Sequence, residues 1–140
     1  MLYYIYGDNM RLIDINNRLR DKYRNTVILT KYGIFYRCFY NNAIVVGYIF
    51  NYKLHDNKVG FPISIINNIE CKLDKYSIDY LIYNSSNNII YNYFNNNNYN
   101  IYLNMGNSKY NVDNYILSIS NRVKYILECD INKYIVIKRF

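Results

Sequence analysis

Nine lysines and arginines fall between residues 11 and 58, at Arg11, Arg18, Arg20, Lys22, Arg24, Lys31, Arg37, Lys53 and Lys58. Three aspartates accompany them, so this segment holds +6 of the chain's formal +7. A localised positive field attracts a polyanion, nucleic acid first, or serves as a solvated face that keeps the protein soluble. Within it, Ile34-Phe35-Tyr36-Arg37-Cys38-Phe39-Tyr40 has the look of a strand. A strand sets Phe35, Arg37 and Phe39 on one face and Ile34, Tyr36, Cys38 and Tyr40 on the other. A guanidinium resists full burial, so the face that carries Arg37 is expected at the surface, with Phe35 exposed beside it.

Other chemistry lacks its residues. The five glycines, Gly7, Gly33, Gly47, Gly60 and Gly106, are too dispersed for a phosphate-binding loop or a dinucleotide fingerprint. His55 is the single histidine. Cys38, Cys71 and Cys129 are odd in number and far apart, which suits neither a disulfide framework nor a zinc site. Glu70 and Glu128 are the two glutamates, and Asp74 one turn after Glu70 reads as a solvated helix face. The expectation is a protein that is not an enzyme and carries no cofactor and no metal.

The elements that must position these residues are legible in outline. With 51% hydrophobic and 19% charged residues over 140 positions, the chain has the composition of one globular domain. The longest apolar run, Ala43 to Phe50, is far short of the ~20 residues of a membrane span. The first residues show no basic start and no cleavage site, so a cytoplasmic protein without membrane contact is expected. Tyr occurs 20 times, Asn and Ile more often still, and Gln is absent. Such a bias follows from A/T-rich codons, so the tyrosines by themselves say little about stacking.

Leu12, Ile15, Leu19 and Tyr23 form one helical stripe within an Asp8–Arg24 helix, with Asp8 or Asn9 placed to cap it. Thr26–Tyr32 and Ile34–Tyr40 read as strands around Gly33, which tolerates φ > 0. A short helix through Ala43 to Asn51 follows, with Asn41 as its cap. Tyr52–His55 and Lys58–Phe61 read as short strands joined at Asp56-Asn57, then a helix over Ile63–Lys75 and a strand over Ile78–Tyr83. Beyond residue 84, Asn88–Phe94 and Asn100–Met105 read as an extra hairpin around Asn95–Asn98. A helix over Val112–Glu128 and a closing strand at Tyr134–Ile137 complete the chain. The class is α/β: a single domain spanning residues 1–140, with a mixed sheet flanked by helices.

In this order the segment from Tyr23 to Tyr83 resembles the N-terminal mismatch-recognition domain of the MutS family. That family has a hydrophobic strand, then Gly-Asp-Phe-Tyr-Glu, an aromatic, and an acidic or Asn-rich step into a helix with an early Ala. Here Val27-Ile-Leu-Thr-Lys-Tyr leads to Gly33-Ile34-Phe35-Tyr36-Arg37-Cys38-Phe39-Tyr40-Asn41-Asn42-Ala43, and Val59-Gly60-Phe61-Pro62 precedes the next helix. The resemblance covers a little under half the chain. It implies a mixed sheet flanked by helices, and a phenylalanine that enters from the minor groove and stacks on a mispaired base of kinked DNA. Phe35 matches that wedge. Arg37 stands where the family has its Glu, and Ile34 where it has Asp. Arginine accepts no hydrogen bond, so it suits a narrow minor groove or a phosphate better than a base-pair check.

The resemblance therefore implies a DNA-binding module with Phe35 and Arg37 at its centre and Lys31, Arg24, Lys53 and Lys58 as basic contacts. Its partner would be double-stranded DNA, mismatched or kinked, and a larger repair protein is a further candidate. The alternative is a degenerate interaction domain that binds another protein. The discriminator is whether Phe35 and the basic residues of the first half lie on one continuous surface, which favours DNA, or scatter, which favours the protein-binding alternative.

Overall fold

The computed structural model describes the backbone of residues 11–84 and 88–138, with side chains through residue 84 and from 89 to 128. It forms two compact units, Met1–Gly106 and Asn107–Phe140. All strands and their covering helices belong to the first, so there is one α/β domain. Its elements are α1 (Leu12–Lys22), β1 (Val27–Tyr32), β2 (Phe35–Phe39), α2 (Asn41–Phe50), β3 (Lys58–Pro62), a 3-10 turn (Ile63–Ile65), α3 (Ile66–Lys75), β4 (Tyr80–Asn84) and β5 (Asn88–Asn92). A last helix, α4, runs over Tyr99–Lys138.

The sheet order is β3-β2-β1-β4-β5. β1 and β4 are parallel and the other neighbours are antiparallel, which makes the sheet mixed, as expected. Period-two alternation sends Val27 and Leu29 to one face and Ile28 to the other. On the first face they pack with Tyr36, Cys38, Val59, Phe61, Tyr80 and Ile82 beneath Val45, Val46, Ile69 and Leu73 of α2 and α3. On the other face α1 lays Ile15 and Leu19 on Ile28, Leu81 and Tyr83. Each such fully buried side chain stabilises the fold by roughly 1.5–3 kcal/mol.

Turn chemistry sets the register. Tyr32 pairs with Phe35 across a two-residue loop whose first position, Gly33, has φ +59°. Glycine at that position with an ordinary residue after it is the preference of a type II′ hairpin turn. Asp56 and Asn57, both at positive φ, close a second tight turn in which His55 and Lys58 exchange backbone hydrogen bonds of 3.0 and 3.1 Å. Tyr52–Leu54 joins no strand, contrary to expectation, and His55 makes only this one bridge. Tyr40 leaves β2 and becomes the N-cap residue of α2. Asp8 and Asn9 lie outside the described residues, and Arg11 occupies the N-cap position of α1 while pairing with Asp14 at 3.0 Å.

The chain after β4 departs most from the sequence reading. Asn88–Asn92 does form a strand, but it pairs antiparallel with β4 rather than with residues 100–105. Residues 100–105 are helical, and so is Tyr134–Ile137, read above as a strand. The Asn tract is a helix start instead of a hairpin loop. Asn97 accepts from the Tyr99 N–H at 3.1 Å and the Asp79 N–H at 3.0 Å, and Asn98 donates to the Tyr76 carbonyl at 2.9 Å. Tyr99 then reaches the core, where the Asn42 amide donates to its hydroxyl at 2.7 Å and to the Thr26 carbonyl at 2.9 Å. The same amide accepts from the Ile28 N–H at 3.1 Å, so one buried Asn ties α2, β1 and the start of α4. Gly106 lets α4 approach α2, because a Cβ there would stand 2.9 Å from the Ile44 carbonyl oxygen.

Cys38 is fully buried, and desolvation pushes its thiol far up, while Cys71 is exposed. A thiolate is the reactive form. A thiol reagent should therefore modify Cys71 in the native protein and Cys38 only on unfolding, read by mass spectrometry of the peptides that contain each. Modification of native Cys38 would contradict this core.

Candidate nucleic-acid interface

The β1–β2 hairpin presents apolar side chains to solvent at its tip. Ile34, in the loop, is 68% exposed, and Phe35, the first residue of β2, is 40% exposed. Tyr36 and Cys38 turn into the core, where the Tyr36 ring lies 5.9 Å from that of Phe61. Phe35 and Arg37 therefore share the opposite face with Tyr32, Gly60 and Pro62, their partners across the strands. α1 lies on this same face of the sheet, over Ile28, Leu81 and Tyr83.

Phe35 and Arg37 line an open groove of about 460 Å³ together with Lys53, His55, Lys58 and Gly60. Gly60, directly opposite Arg37, contributes no side chain to fill it. The Arg37 guanidinium stacks over the Tyr32 ring at 4.6 Å. Such a contact holds the planar group in place while its edge stays free to donate. The lining contains three cationic side chains and no carboxylate. Among the described residues no ion pair engages Arg37, Lys53 or Lys58. Their charges remain available to an incoming anion.

Four of the six residues singled out from sequence thus meet in one groove: Phe35, Arg37, Lys53 and Lys58. Lys31 does not join them. It pairs with Tyr36, so its side chain belongs to the other face of the sheet, where it is half-buried. Arg24 precedes β1 and stands near the end of that strand remote from Phe35, about 20 Å away at 3.3 Å per residue. There it lines a separate polar hollow of about 220 Å³ with Arg20, Asp21 and Tyr40. Arg20 in that hollow is already held by Asn16 and Asn17 and stacks on Tyr40. His55, a lone histidine in the sequence, also lines the groove. The tight turn at Asp56-Asn57 is the signal that places it next to Lys58 and hence in the groove.

Among the described residues no group of His, Cys, Asp and Glu could hold a metal ion. No described helix is long and apolar enough to cross a membrane. No curated protein matches the chain. Residues 12–77, from α1 to just past α3 and including the whole groove, match the family model of MutS domain I.

Proposed function

We propose, from the MutS domain I-like module that residues 12–77 constitute, that this chain is a DNA-binding module whose contact face is the Phe35 groove. MutS domain I is a non-catalytic domain of mismatch recognition, and the mixed sheet flanked by helices is consistent with it. The observation that carries the proposal is the placement of Phe35, 40% exposed at a hairpin tip, beside three cations that form no ion pair among the described residues.

An apolar wedge works by differential cost. Unstacking a base step takes a few kcal/mol, least at a mismatch or a flexible step, and the resulting bend brings phosphates to the protein. Phe35 is the wedge in this reading. Lys53 and Lys58 neutralise phosphates, and Arg37 enters the narrowed groove or meets a phosphate. Arg37 offers no acceptor to a mispaired base, so kinkable DNA is preferred over intact duplex with weak discrimination among mismatches. These 140 residues hold no phosphate-binding loop, and the module acts alone or beside a larger repair protein.

Titration of matched and mismatched duplexes of one length tests this. The mismatched duplex should bind more tightly, with micromolar or poorer affinity near physiological salt. Arg37→Glu restores the acceptor and removes two units of positive charge. It should lower affinity for both duplexes and raise the mismatched-to-matched ratio. Absence of binding at low salt would overturn the proposal and leave a protein partner for the groove. An unchanged ratio in Arg37→Glu would remove Arg37 from base contact.

A further inference from the structure

In the second unit, Asn107–Phe140, α4 runs on to Lys138. Every described side chain from Ser108 to Glu128 is exposed. Ten of them are large and apolar, among them Val112 at 54%, Ile116 at 55%, Ile119 at 40%, Val123 at 47% and Ile126 at 55%. The segment contains no Ala, and Asn, Ser, Tyr, Ile and Val make up most of it. These residues are mediocre helix formers, and a helix of them alone in water is marginal. Such a helix must draw its stability from packing.

The spacing says against what it packs. Val112, Ile116, Ile119, Val123 and Ile126 follow steps of four, three, four and three. That is an unbroken run of heptad core positions, with Ile116 and Val123 at a and Val112, Ile119 and Ile126 at d. Lys109 and Asp130 occupy the next a positions and bound the seam. In a parallel assembly the flanking g and e positions set Tyr115 against Ser120 and Arg122 against Leu127 of the neighbouring copy. No like charges meet at either pair, so nothing electrostatic opposes identical chains. All five core residues are β-branched, and β-branched side chains at both a and d favour three or four strands over two.

We infer that residues 109–130 of α4 associate with two further copies of the same chain as a short parallel three-stranded coiled coil. Three groove-bearing units would then be linked, which raises avidity for a polyanion without any new contact. The association itself does not depend on what the groove binds.

Sedimentation equilibrium of the full chain over about a hundredfold range of concentration tests it. The mass should rise from 17.0 kDa towards three times that value. Ile119→Asp places a carboxylate in the seam and should weaken association at least about tenfold. Val123→Asn, a milder change, should weaken it in the same direction if the aspartate variant folds poorly. Tyr125→Asp, off the seam, should leave it unchanged. A mass of 17.0 kDa throughout, a plateau at two chains, or equal weakening by Ile119→Asp and Tyr125→Asp would each overturn the inference.

Discussion

Phe35→Ala should weaken binding to a mismatched or flexible duplex by about 1–3 kcal/mol, roughly fivefold to 150-fold, and weaken binding to a rigid matched duplex less. The loss comes from the stacking that an inserted ring gains on a base. The cost to folding should stay near 1 kcal/mol, because the side chain is 40% exposed at a hairpin tip and lies outside both core clusters. Fluorescence anisotropy with two duplexes, together with thermal melting, separates the two effects. Loss of 3–5 kcal/mol of stability would show Phe35 to be a packing residue and leave the fold without a wedge.

Phe61→Ala should behave in the opposite way. Phe61 is 2% exposed, lies in β3 opposite Tyr36 and packs under α2 and α3. Removing a buried Phe ring loses its transfer free energy and leaves a cavity, together about 3–5 kcal/mol. Against a total of about 5–15 kcal/mol for a domain, that is a large fraction. The denaturant midpoint should fall accordingly. At concentrations of denaturant where the variant remains folded, its DNA affinity should equal that of the parent. A variant that folds normally yet loses DNA binding would mean that Phe61, not Phe35, faces the nucleic acid.

The outward setting of Phe35 was readable from the chain because the pleat alternates strictly. Tyr36 and Cys38 are inward, so Phe35 and Arg37 are outward, and a two-residue turn at Gly33 fixes the register. The same rule separates Lys31 from Arg37. Lys31 stands opposite Tyr36, and the register puts it on that residue's face of the sheet. Grouping the cations by charge alone ignored that parity, and it ignored the direction of β1, which puts Arg24 at the strand's other end. The last third was misread for a different reason. In Asn100–Met105 a rough alternation suggested a strand, whereas Tyr99, Tyr102 and Leu103 share a helical face against the core. The deciding contacts, Asn97 to Asp79 and Asn98 to Tyr76, span about twenty positions and leave no local trace. The groove's other wall was half legible. Asp56-Asn57 announced a turn, but its consequence for His55 appears only once β3 is docked beside β2.

The dependence of duplex affinity on salt tests the DNA-binding face most directly. With Arg37, Lys53 and Lys58 each neutralising one phosphate, log K should fall with log salt at a slope of about −2.7. Replacing Lys53 and Lys58 together by Ala should make that slope shallower by about 1.8. The pair Arg24→Ala and Lys31→Ala, which lies off the groove, should leave it where it was. A slope unaffected by the groove lysines, or one that follows Arg24 and Lys31 instead, would contradict the assignment of DNA to this face.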